Sequence, residues 1–270
     1  MSLGLEELND AALLIVGHGR SNSPVSTALI QGHASAISDR HIFKEVYSGF
    51  IKLAPFMDAQ LAEIENDTVH IVPCFASPGS LTKTAIPERL GLKGNITQRG
   101  NQTLYYCEPV GNHPMVTQQI CNIVEKTVRT SGVPADDTTI IVVGHGSGQN
   151  PQSEIDTRHL ADQLDQLALS EKVIALFLDQ APNLTDWLSH CTTTHAIIVG
   201  YLFSGGSHET VDVPKLLGIN PSLTKDRLAN DQAIGPIEIE SRQLWLSPPI
   251  GADKVVQDVI IERALEILAE

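Results

Sequence analysis

The feature that most constrains this chain is that it contains itself twice. "VGHGRSNSP" at 16–24 returns as "VGHGSGQNP" at 143–151, an offset of 127 residues. The same offset runs without a gap from Gly17 to Leu92, pairing Gly17/Gly144, His18/His145, Gly19/Gly146, Pro24/Pro151, Ser26/Ser153, Val46/Val173 and Phe50/Phe177. "ASPGSLTKTAIPERLGL" (76–92) then lies over "FSGGSHETVDVPKLLGI" (203–219). Pro109-Val110-Gly111 matches Pro249-Ile250-Gly251 at an offset of 140, so the second copy carries 13 extra residues between about 219 and 241. A fixed internal register of this length means one structural unit built twice. The expected domains are 1–132 and 133–270, joined by "SGVPADD" at 131–137.

Each copy reads as alternating short apolar strands and helices. "ALLIVG" (12–17), "FKEVYSGF" (43–50), "VHIVPCF" (69–75) and "TLYYCEPV" (103–110) predict four strands in the first copy. "TIIVVG" (139–144), "KVIALFL" (172–178), "AIIVGYLF" (196–203) and "RQLWLSPP" (242–249) predict four in the second. "PFMDAQLAEI" (55–64) predicts a helix opened by a proline at its favoured first turn. With 42% hydrophobic but only 4% aromatic residues, the core must be built from Val, Ile, Leu and Ala, the composition of parallel sheets covered by helices. The expected class is α/β: two similar flavodoxin-like units, each with a four-stranded parallel sheet of order 2-1-3-4 and right-handed crossovers.

A formal charge of −14 argues against nucleic acid or an anionic membrane as a partner. The acidic start "MSLGLEELND" has neither the basic flank nor the apolar stretch of an export signal. Cys74, Cys107, Cys121 and Cys191 form no Cys-x-x-Cys pair and are expected to be reduced packing residues, pointing to the cytoplasm.

Ligands of open α/β sheets bind outside the carboxyl ends of the strands, where the winding direction reverses between strands 1 and 3. In the second copy, His145 follows strand 1 and His208 follows strand 3, among Gly144, Gly146, Gly205 and Gly206. Imidazoles suit Fe, Co, Ni or Zn and exchange protons near neutral pH. Two are too few for a closed structural site, which takes four protein ligands, but they suit an open, exchangeable one. The first copy keeps His18 but has Leu81 at the position of His208, so it is expected to have lost the pair and to serve as scaffold or as a wall of the cleft. His33, His41, His70, His113, His159, His190 and His195 are expected to be surface or packing residues.

At "VGHG", "FLDQAP" (177–182) and "GYLFSGGSHETVDVP" (200–214) the chain resembles the class II tetrapyrrole chelatases, the sirohydrochlorin cobalt- and ferrochelatases of CbiX/SirB type. The resemblance implies two similar α/β units, fused here, and ATP-independent insertion of Co²⁺ or Fe²⁺, the metal being substrate, into sirohydrochlorin for cobalamin or siroheme synthesis. It implies that His145 and His208 present the metal and accept the pyrrole protons. Arg20, Ser147, Gly205, Gly206 and Ser207 are then expected to line the tetrapyrrole site, with Lys83, Arg89 and Lys215 as further cations for its eight carboxylates. Asp179 and Gln180 fall where the family often has acidic side chains, which leaves a further metal contact open. A monomer of two pseudo-twofold repeats and a homodimer both fit.

Rival chemistries lack their residues. A histidine-class phosphatase needs an arginine beside its histidine, and here Gly17 and Gly144 precede it. There is no G-x-S-x-G elbow and no G-x-x-x-x-G-K-[ST] loop. The remaining alternative is a protein of the same fold that binds tetrapyrrole or metal without inserting it.

Overall fold

The first apolar run of each repeat, "ALLIVG" and "TIIVVG", becomes a strand paired on both sides within its own sheet. The computed structural model describes residues 2–19, 24–147, 151–203, 208–229 and 232–269. In the first sheet the strands are β1 (Ala12–Gly17), β2 (Glu45–Phe50), β3 (Thr68–Pro73), β4 (Ile96–Arg99) and β5 (Gln102–Tyr106), ordered β2-β1-β3-β5-β4. In the second they are β6 (Thr138–Gly144), β7 (Lys172–Phe177), β8 (His195–Gly200), β9 (Ile234–Ile239) and β10 (Arg242–Leu246), ordered β7-β6-β8-β10-β9. β1 and β6 are buried along their whole length, as strands covered on both faces must be. The parallel registers match between repeats, Gly17 opposite Phe50 and Gly144 opposite Phe177.

The expected 2-1-3-4 order is present, but each sheet has a fifth strand, antiparallel at the edge, where four parallel strands were expected. β4 and β5 are joined through Gly100 and Asn101, with Gly100 at φ 62°. β9 and β10 are joined through Glu240 and Ser241, at φ 45° and 69°, the left-handed pair of a type I′ hairpin that Asn-Gly usually supplies. Pro236 sits in β9, which is an edge strand and tolerates the missing N–H. The second-copy insertion precedes this hairpin and contributes the short helix Lys225–Ala229. A second correction concerns Pro55. The helix begins at Met57, and Pro55, after a cis bond, instead accepts the Phe50 N–H at 2.9 Å.

The compact units do not coincide with 1–132 and 133–270. Unit 1 is Met1–His113 with Lys254–Glu270, and unit 2 is Pro114–Asp253. The helix Pro114–Ser131, last of the first repeat, packs on β8 through a face that includes Val116, Ile120 and Val124. The helix Val255–Glu266, last of the second repeat, packs on β3 and on the helix Pro24–Ser38. The closing helices are thus exchanged, and the 131–137 segment lies inside unit 2 instead of between units. In unit 1, Arg263 clamps the returning helix: its Nε donates to the Pro109 carbonyl at 3.1 Å and its terminal nitrogens to Asn112 and Glu266 at 2.7 Å.

The four cysteines are buried and in no disulfide, and burial pushes the Cys74 thiol up to about 12. Among the described residues no helix is long and apolar enough to cross a membrane.

His70, on β3, is fully buried with neither ring nitrogen hydrogen-bonded, stacked on Tyr105 at 5.0 Å. Burial lowers its pKa to about 4. The folded chain therefore holds it neutral, while the unfolded chain protonates it below about 6.5. Stability is unaffected above that pH and is lost as pH falls from 6.5 toward 4, by about 3 kcal/mol. H70F is expected to lose about 2–3 kcal/mol less than the parent between pH 7.5 and 4.5 in urea unfolding; equal losses would contradict this.

Candidate active site

His145 is the first residue beyond β6, and two consequences of its position follow from the backbone. The parallel pairing of β6 with β7 continues past the strand ends, with the Asp179 N–H donating to the His145 carbonyl at 3.0 Å. That ladder sets the Asp179 carboxylate 3.4 Å from His145 Nδ1. Next, the chain turns at Gly146, with φ 75°, where any Cβ would lie 2.6 Å from the Gln180 side chain. Gln180 Oε1 accepts the Ser147 N–H at 2.7 Å, and its Nε2 donates to Glu154 at 2.7 Å. Hydrogen bonds from Arg158 and then Gln180 hold the Glu154 carboxyl below its ordinary range. The loop carrying His145 and Ser147 is thereby fixed from β7 and from the helix Gln152–Asp165.

His208 opens a single π-helical turn, His208–Asp212. Such turns insert one extra residue per turn and recur at functional sites. Its Nδ1 lies 2.8 Å from Asp212 Oδ2. The two imidazoles, distant in sequence, meet as expected: ring centroids 5.2 Å apart, planes at 90°. His145 Nδ1 is also 3.0 Å from the Gly146 carbonyl. Carbonyl and carboxylate oxygens accept, so both Nδ1 atoms are the donors, and in the neutral form of each ring the lone pair lies on Nε2. His145 is about half exposed and His208 is mostly covered, at 46% and 18% of their side-chain surfaces. Two lone-pair nitrogens flanked by two carboxylates form an environment that attracts a cation and takes up protons. Among the described residues no group of three or more His, Cys, Asp or Glu is placed to hold a metal ion.

Unit 1 carries the same backbone with different chemistry. The Lys52 N–H donates to the His18 carbonyl at 3.0 Å, the counterpart of Asp179 and His145. Leu81 opens the matching π-helical turn, Leu81–Ala85, packs on the apolar core, and Ala85 stands at the position of Asp212. At the positions of Asp179, His208 and Asp212, unit 1 carries Lys52, Leu81 and Ala85. The exchange of Asp179 for Lys52 was not extracted from the sequence, although the 127-residue register contains it.

Among the other expected ligand residues, Arg20, Gly205, Gly206 and Ser207 lie outside the described residues. Lys83 sits in the turn Leu81–Ala85 and Lys215 in the helix Val213–Leu216, at positions that the 127-residue offset does not pair. Arg89 is corrected to a structural role: it donates to the Ile51 carbonyl and to Asp58 at 2.6 Å each and lies over the Phe56 ring. His33, His70 and His113 are buried packing residues of unit 1.

Comparison with known proteins places this chain in a family. A protein of Halobacterium salinarum described as a probable sirohydrochlorin cobaltochelatase is 29% identical over 274 residues, covering 94% of this chain and 91% of its own. A solved multi-domain protein of Deinococcus radiodurans, with structural similarity to chelatases and two additional domains, is 21% identical with a TM-score of 0.70 over 94% of this chain. This chain spans about half of that protein's length, 54%. SirB from Bacillus subtilis, solved with Fe³⁺, is 21% identical with a TM-score of 0.69 over 96% of both chains. At such identities the structures speak to the fold alone. The CbiX family model matches residues 12–127 and again residues 139–267, one match per repeat, and the chain therefore belongs to the CbiX family.

Proposed function

We propose that this chain is a sirohydrochlorin chelatase that inserts a divalent metal, cobalt or iron, at a single site in unit 2. The observation that carries this reading is the His145/His208 pair, with rings 5.2 Å apart and Nδ1 engaged on both. Insertion replaces two pyrrole N–H bonds by metal–nitrogen bonds and releases two protons. A catalyst therefore needs a donor that holds the metal loosely and a base that takes protons as it leaves. Imidazole Nε2 serves both ends: it ligates first-row cations without the grip of a four-ligand cage, and it titrates near neutral pH. Asp179 and Asp212 offset the charge of the arriving cation, while Lys52 and Leu81 favour unit 2 over unit 1 as its destination.

The test is to mix purified protein with excess sirohydrochlorin and Co²⁺ or Fe²⁺ and follow the visible spectrum. Many turnovers of metallated product are expected, without ATP. A spectral change that stops at one equivalent would make the chain a tetrapyrrole or metal carrier instead.

A further inference from the structure

We propose that Asp212 is a positioning residue: it fixes His208 in the Nδ1–H tautomer so that Nε2 meets the metal. The proposal rests on the reading of the site given above. Three observations carry it. The carboxylate lies 2.8 Å from His208 Nδ1, the distance of a charge-assisted hydrogen bond, within one π-helical turn. Asp212 continues without a break into the helix Val213–Leu216, at φ −71° and ψ −46°, so helical backbone on both sides sets its place one turn after His208. Finally, unit 1 supplies an internal comparison, because the same turn there has lost both partners together, Leu81 for the histidine and Ala85 for the aspartate.

The physical consequence is specific. A neutral imidazole in water populates both tautomers, and a ring carrying its proton on Nε2 has no lone pair there for a cation. An acceptor on Nδ1 removes that form and raises the basicity of Nε2, as carboxylates behind metal-binding histidines do. His145 obtains the same restriction from a backbone carbonyl, which cannot be substituted; His208 obtains it from a side chain, which can.

The experiment compares D212A and D212N in the full chain. Asparagine keeps a carbonyl that accepts the same hydrogen bond, whereas alanine does not. D212A is expected to lower kcat by about 10–100-fold with KM for sirohydrochlorin little changed, and D212N to recover most of the loss. In parallel, ¹⁵N NMR of the imidazole nitrogens above their titration range, assigned against H208Q, is expected to show Nδ1–H in the parent and D212N, and a mixture in D212A. An unchanged tautomer in D212A overturns the proposal, and so does a mixture that leaves kcat intact while H208A abolishes turnover. If H208A itself turns over at the parent rate, the catalytic reading of the site falls, and the proposal that Asp212 serves it falls too.

Discussion

Replacing His145 with alanine is expected to lower the initial rate of sirohydrochlorin metallation by about 10²–10⁴-fold, and replacing His208 by a similar factor, because each removes a positioned proton acceptor and a metal donor. The two losses should not multiply. Residues that act as one unit show about the same total deficit whichever is removed first, so the double variant should resemble the worse single one. His18→Ala supplies the contrast: it follows the equivalent strand end, but Lys52 and Leu81 stand at the sequence positions of Asp179 and His208, and its loss should leave the rate near that of the parent. Initial rates from the visible spectrum decide this. If both His145→Ala and His208→Ala kept parental rates, the assignment of the site to unit 2 would be wrong, whatever the chain does with tetrapyrroles.

This pair was legible before any coordinates because duplication makes a chain its own reference. The 127-residue register located equivalent strand ends, and the preference of ligands for the switch point of an open sheet placed His145 and His208 together. The same register held the substitution of Lys52 for Asp179, but that difference acquires meaning only once the continued β6–β7 ladder brings position 179 against the imidazole. The edge hairpin of unit 2 was hidden for a different reason. Its turn residues are Glu240 and Ser241, at positive φ, and neither is a residue that announces such a turn. In unit 1 the Gly100-Asn101 turn was a readable signal that the four-stranded expectation passed over.

The exchanged helices were illegible in principle, and they lead to the second large effect. The apolar positions of Val255–Glu266 state that one face of this helix must be covered, but not by which sheet. Deleting residues 254–270 is expected to abolish the folding of unit 1, although that segment closes the second repeat. The helix buries Val256, Val259, Ile260, Ile261 and Ala264. At about 1.5–3 kcal/mol for each of the four larger side chains, its removal costs roughly 10 kcal/mol, comparable to the whole stability of a typical domain. The Arg40–Asp258 pair at 2.7 Å adds little, since it is exposed, but Arg263 is buried and its loss leaves the Pro109 carbonyl and Asn112 without their donor. Truncation at Asp253 should therefore give a species whose unit 1 amides have lost their hydrogen-exchange protection, or one recovered only as aggregate. Residues 1–132 expressed alone should fail in the same way, because they hold the sheet of unit 1 without its covering helix. A chain running 1–113 and then, through a flexible linker, 254–270 should restore a cooperative unfolding transition. A cooperatively folded 1–132 fragment would show that each repeat covers its own sheet, and the division into exchanged units would have to be abandoned.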